Sequence, residues 1–239
     1  MILNSKIIGN QKKVLIILHG LFGSLDNWYS IAKELSLHYQ VHILDQRNHG
    51  KSFHNKIHNY DIMSNDVYNY INYHNIKEPT ILGHSMGGKT AMVFAFHYPM
   101  HLNKLIILDI GPKSYINNYS ELISTLKEID NANLNSRKKA QLILENKNID
   151  NKTIQFLLKN LFWHKEKLKF RFNLYAIENS IDKLMSFNYL DSCWDGPCFF
   201  IRGAQSNYIL DSDSRLIKKF FLNSSLITID KANHWVHFD

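Results

Sequence analysis

Cysteine is scarce in this chain: only Cys193 and Cys198 occur in 239 residues, five positions apart. That spacing is neither a C-x-x-C redox pair nor a zinc pair, so it predicts packed thiols of a reducing compartment and no disulfide framework. Missing too, in Met1-Ile2-Leu3-Asn4-Ser5-Lys6, is the basic region and long apolar stretch of a secretory signal. No apolar run approaches the length that spans a bilayer. The expectation is a cytoplasmic protein without a membrane span. There is also no internal repeat and no basic stripe interleaved with aromatics. The excess of 28 Lys and Arg over 21 Asp and Glu therefore predicts no nucleic-acid partner, although it favours the approach of an anionic substrate.

What the chain does have is enough apolar residues, 45%, for one large core. The first half alternates strand-like segments (13–18, 40–44, 80–83, 104–108) with helix-like ones (26–37, 61–75). Such alternation predicts an α/β fold, a mostly parallel sheet flanked by helices. Residues 1–8 are expected to add an antiparallel edge strand by hairpin logic. Beyond Gly111-Pro112 the pattern turns helical, at 119–129, 136–145, 152–162 and 170–185, without strand signals. Strand, helix and strand then resume at 197–201, 212–221 and 225–229. The division is therefore a core of residues 1–111 and 196–239, with a helical lid inserted at 112–195.

The chemistry concentrates at Gly83-His84-Ser85-Met86-Gly87-Gly88. A serine with glycines two positions away on each side, after an apolar run and before a helical one, reads as a nucleophile elbow. Its sharp strand-to-helix turn leaves no room for Cβ atoms at those glycines. A serine hydroxyl needs a base and the base needs a carboxylate, normally met in the order Ser, acid, His. His234, in the loop after the last strand, is the candidate base, with His237 its competitor. No carboxylate stands in the loop Arg202-Gly203-Ala204-Gln205-Ser206-Asn207-Tyr208, so Asp109 is the candidate acid, with Asp211 or Asp213 as fallback. Asp109 ends the strand expected beside the one that leads to Ser85. Oxyanion donors are expected from the N–H of Met86 and from the loop His19-Gly20-Leu21-Phe22-Gly23, where Leu21 is preferred to Phe22. Phe22, Trp235 and the lid residues Phe162 and Trp163 are the candidate substrate-binding residues, with Phe156 and Phe172 alongside. No metal site and no organic cofactor are implied.

With these blocks, together with Asp45-Gln46-Arg47-Asn48-His49-Gly50-Lys51-Ser52 and Leu108-Asp109-Ile110-Gly111-Pro112, the chain resembles the α/β-hydrolase superfamily. More narrowly, it looks like the subgroup of the bacterial acyl-CoA esterase YbfF and abhydrolase-domain-containing protein 11. The resemblance implies Ser85 as nucleophile, Asp109 as acid and His234 as base, acting on carboxylic esters or acyl-CoA thioesters, that is, small-molecule substrates. It also accounts for the missing acid near Ser206 and makes Asp45, Arg47 and His49 structural. Members normally continue past the histidine into a helix on the sheet, whereas this sequence ends five residues after His234. An uncovered apolar face and a poorly braced histidine loop are therefore expected. A carbon–carbon bond hydrolase or lyase on the same triad, and an impaired hydrolase-like binding protein, are the alternatives. Nothing in the residues selects between monomer and dimer.

Overall fold

A computed structural model describes residues 1–238. The core opens with β1 (Ser5–Ile8), β2 (Val14–Leu18), α1 (Tyr29–Leu35), β3 (Gln40–Leu44), α2 (Tyr60–Tyr73), β4 (Thr80–His84), α3 (Met86–His97) and β5 (Lys104–Leu108). An insertion follows, comprising α4 (Ser120–Asn131), α5 (Arg137–Asn146), α6 (Asn151–Lys159), β6 (Leu161–His164), β7 (Lys167–Phe170), α7 (Leu174–Glu178) and α8 (Ile181–Met185). The core then closes with β8 (Cys198–Gly203), α9 (Ser214–Phe220) and β9 (Ser224–Ile229).

Among the described residues the main sheet has seven strands, in the order β1-β3-β2-β4-β5-β8-β9, parallel except for β1. This is the α/β-hydrolase fold expected from the sequence. Period-two alternation sends Ile16 and Leu18 to one face, under α2, α3 and α9, and Leu15 and Ile17 to the other, under α1 and Trp28. The order reverses between β2 and β4, so the loops leaving their carboxyl ends part and open a crevice there. Ser85 stands at that crevice.

Four local expectations are corrected. The edge strand β1 is antiparallel, but it pairs with β3 and not with β2: Ser5 lies opposite Leu44, and Asn4 is tied to Asp45 and Ser52. The insertion also contains a hairpin. Helix α6 stops at Asn160, and β6 and β7 pair from Leu161 with Phe170 to His164 with Lys167, around a turn in which Lys165 has φ 49°. The helix expected over 170–185 is two short ones, the first capped by the Asn173 side chain accepting from Ala176 N–H. Finally, Cys198 is buried as expected but Cys193 is exposed; both are free thiols.

The insertion has no separate interior. Its Leu126, Leu157, Leu168 and Leu184 join Met92 and Phe94 of α3 in one continuous apolar cluster. The α1 face is thinner: Ile106 and Ile201 are only partly buried, and Ile227 and Ile229 on β9 are 41% and 39% exposed. Among the described residues no helix is long and apolar enough to cross a membrane.

Candidate active site

Ser85 links β4 to α3 with φ 52° and ψ −118°, the strained geometry of an elbow. The packing around it explains the glycines. A Cβ on Gly83 would lie 2.3 Å from Gly87 O, and one on Gly87 would lie 2.3 Å from Leu18 O. The turn is pinned on both sides, by Ser85 N–H donating to Leu108 O at 3.1 Å and Lys89 N–H donating to Ser85 O at 3.1 Å.

Asp109 leaves β5 with φ 48° and is fully buried. Its N–H donates to Ile201 O at 2.8 Å, which turns the carboxylate toward the loop after β8. There it accepts from Gly203 N–H at 3.1 Å, from the Ser206 hydroxyl, and from His234 Nδ1–H at 2.8 Å. With Nδ1 as the donor, the lone pair of the neutral ring is on Nε2. The ring stacks on Tyr208 with centroids 3.9 Å apart. His84 completes the arrangement, its Nε2–H donating to His234 O at 2.9 Å. Burial above all, then the neighbouring His234 and His237, holds the His84 pKa well below the usual imidazole range. The histidine loop is thus braced from below by His84 and flanked by His237 stacked on Trp28 at 4.2 Å, contrary to the weak bracing expected.

The fallback residues are engaged elsewhere. Asp211 pairs with Arg202 and Asp213 with Lys113, while His237 lies flat on Trp28.

The loop after β2 runs against the elbow: a Cβ on Gly20 would lie 3.0 Å from the His84 ring and 3.4 Å from Ser85 Cβ. Phe22, at φ 60°, donates its N–H to His49 Nε2 at 3.2 Å. This commits the Phe22 amide, and of the two loop candidates Leu21 is the one whose N–H has no bonded acceptor among the described residues. His49 in turn donates from Nδ1 to Arg47 O at 3.0 Å, and His19 accepts Gln46 N–H at 3.0 Å. Both rings have lowered pKa values, chiefly from burial. Asp45 accepts from Leu25 N–H, Lys51 N–H and the Asn4 amide, and Arg47 makes a two-pronged pair with Asp66. Their contacts shape the loops of the crevice.

Two cavities meet at Ser85. The first, about 480 Å³, is walled by Phe22, Phe156, His234 and Trp235; the second, about 700 Å³, by Met86, Lys89, Ile110 and Tyr115. Leu21, Tyr119, Leu122 and Tyr208 belong to both. Phe162 and Trp163 line neither, which corrects the sequence reading. They sit on the outer hairpin, where Phe162 lies under the Arg171 guanidinium and Trp163 is 55% exposed. Phe172 packs on Phe22 with centroids 5.0 Å apart and supports that wall from behind. Sequence reading missed Ser206 and His84. Ser206 stands in the loop searched for a carboxylate, and its hydroxyl donates to Asp109, a contact that local sequence pattern does not announce. Among the described residues no three His, Cys, Asp or Glu side chains converge on a metal site.

A strained serine turn at the carboxyl edge of a mostly parallel sheet, beside a buried aspartate bonded to a half-buried histidine, has the geometry of the α/β-hydrolase class. The comparisons agree: a family profile described as alpha/beta hydrolase fold matches residues 13–139, and the chain belongs to that family. It is 35% identical to the sn-1-specific diacylglycerol lipase ABHD11 of Danio rerio, over 94% of this chain and 74% of that one. Esterase YbfF of Escherichia coli is 29% identical over 93% of this chain and 86% of its own. A solved structure, a marine microorganism esterase, superposes with a TM-score of 0.94 at 39% identity, covering 99% and 94% of the two chains.

Proposed function

We propose that this protein is a serine hydrolase that cleaves carboxylic esters or acyl-CoA thioesters through an acyl-enzyme. The observation that carries the reading is the 2.8 Å His234–Asp109 hydrogen bond, with His234 on the wall of the cavity that Ser85 also lines. His234 Nε2 takes the Ser85 proton as the hydroxyl oxygen attacks the acyl carbon, and Asp109 fixes the tautomer and stabilises the imidazolium. The N–H groups of Leu21 and Met86 receive the oxyanion; losing one such donor costs about 3 kcal/mol of barrier stabilisation. Collapse of the intermediate expels the alcohol or thiol, which takes its proton from His234. Water, deprotonated by the same ring, then attacks the acyl-serine and releases the carboxylic acid.

The insertion acts in this reading as a lid: Thr153, Phe156 and Leu157 of α6 and Leu122 of α4 roof the first cavity. The names of two relatives, an sn-1-specific diacylglycerol lipase and an esterase, support an ester substrate. A fluorophosphonate probe should label the wild-type protein at Ser85 and leave Ser85→Ala unlabelled. Equal labelling of both proteins would remove the assignment.

A further inference from the structure

The second cavity contains a charge that the mechanism above does not use. Lys89 lies one helical turn beyond Ser85 on α3 and is 1% exposed. Its ammonium donates to the backbone oxygens of Leu184, Met185 and Ser186 at 3.3, 3.1 and 3.3 Å, at the carboxyl end of α8. The rings of Tyr60, Tyr115 and Phe187 surround it at 5.6, 4.9 and 5.8 Å. All of these partners are neutral dipoles or π-faces. No carboxylate pairs with Lys89 among the described residues, whereas Lys113, in the same cavity, is neutralised by Asp213. Burial without a counter-ion is costly, and it pushes the Lys89 ammonium down to about 7. Hydrogen bonds to helix-end carbonyls hold such a charge without cancelling it.

The orientation of the substrate follows from proton traffic. His234 must hand its proton to the leaving group, so the leaving group lies on the His234 side of Ser85. That is the first cavity, which holds His234 and Trp235; the second holds neither, and its wall beside Ser85 is Met86, Leu21 and Ile110. The acyl group therefore extends into the second cavity, toward Lys89. A plain alkyl chain there would leave the uncompensated ammonium deeper in apolar surroundings, and an anionic end would relieve it.

Building on the serine-hydrolase reading, we infer that the second cavity is an acyl site for the half-esters or half-thioesters of short dicarboxylic acids, with Lys89 attracting the distal carboxylate. Four residues, ~6 Å of helical rise, separate Lys89 from Ser85, which keeps the site to short diacids; adipate, with six carbons, is the probe. The leaving alcohol or thiol is not constrained by this site.

The test compares 4-nitrophenyl hydrogen adipate with 4-nitrophenyl hexanoate, equal in acyl length and leaving group. Wild-type kcat/KM is expected to be at least tenfold higher for the adipate, and Lys89→Met is expected to bring the ratio to one or below. A wild-type ratio of one or less overturns the inference, as does a ratio unchanged in a folded Lys89→Met protein. A second readout needs no variant: free adipate should slow fluorophosphonate labelling of wild-type Ser85 at a concentration at least tenfold lower than hexanoate, and equal protection overturns the inference. Turnover of neither ester, with no labelling of Ser85, would bring down the hydrolase reading as well. Turnover of both esters with hexanoate preferred would bring down the acyl-site inference alone.

Discussion

The carboxyl edge of the sheet and the insertion above it both contain residues in left-handed conformation, but of different kinds. At the sheet edge Phe22, Ser85 and Asp109 take it, with φ of 60°, 52° and 48°, each following the end of a core strand, as do Asn48 and Lys231 at 65° and 63°. In the insertion they are Asn133, Asn148 and Lys165, at helix ends and in a hairpin turn. Asparagine tolerates that conformation as a local preference and aspartate shares part of that tolerance, whereas phenylalanine and serine adopt it only where surrounding contacts impose it. Strain at the edge is concentrated where the proposed chemistry is, and the insertion is built largely from local propensity. The consequence is that point changes at the edge should be severe and those on the outer insertion mild.

The sharpest break in that contrast comes from Asp109→Asn. The variant keeps the volume and the Gly203 contact, but the new side-chain amide can present its N–H toward His234 Nδ1 and favour the wrong tautomer. The expected loss is about 10⁴-fold in kcat, with KM for a 4-nitrophenyl ester changed far less. A loss under tenfold would show that the Asp–His pair is structural.

Next in size is Gly87→Ala, an effect on stability. Its Cβ would meet Leu18 O at 2.3 Å and His19 O at 2.6 Å, both backbone atoms that cannot rotate away. Destabilisation of about 3 kcal/mol or more is expected, read as a lowered urea midpoint at unchanged slope. Gly111, where a Cβ would meet only side-chain atoms no closer than 3.3 Å, is the control and should tolerate alanine.

Acidification separates the two regions by titration. His19, His42, His49, His58 and His84 belong to the core, and burial lowers every one of their pKa values, to about 4 for His42 and about 3 for His58. Because the folded values lie below the unfolded value of 6.5, the unfolded chain binds more protons in between. Stability contributed by these rings is complete above about pH 6.5 and is lost as pH falls toward the folded values, at up to about 1.4 kcal/mol per unit for each ring. A urea midpoint that is level from about pH 6.5 to about pH 5 would contradict this. Lys89 acts in the same sense at higher pH: its folded value near 7 lies below the unfolded 10.5, so its buried charge costs stability below pH 7 and that cost fades as pH rises. In Lys89→Met the rise of the midpoint between about pH 7 and about pH 9 should flatten.

The same contrast explains what could be read from sequence. The core strands were legible because buried parallel strands are short apolar runs, and the elbow because two glycines mark a backbone approach that no other residue permits. Asp109 was legible from its position at the end of the strand beside β4. The partner of β1 was not, because Asn4 and Asp45 select β3 through contacts 41 positions apart. The β6–β7 hairpin was misread as helical: the apolar Leu161-Phe162-Trp163 extends the pattern of α6 with only Asn160 to interrupt it, and the period-two alternation of Lys167-Leu168-Lys169-Phe170 went unread. His84 and Ser206 act through tertiary hydrogen bonds that leave no mark in local pattern.

The smallest effect should come from that misread hairpin. Trp163 and Trp235 are the same residue type, and both were expected to touch substrate. Trp235 lines the first cavity with its ring 4.5 Å from Phe156, so Trp235→Ala removes a wall of the proposed leaving-group side. It should raise KM for 4-nitrophenyl esters several-fold while kcat falls less, as loss of uniform binding does. Trp163, more than half exposed on β6, has no side chain in either cavity, and Trp163→Ala should alter kcat/KM by less than twofold. If Trp163→Ala instead matched Trp235→Ala, the hairpin would have to fold over the crevice during turnover, and the insertion would be a moving part of the site and not a fixed wall.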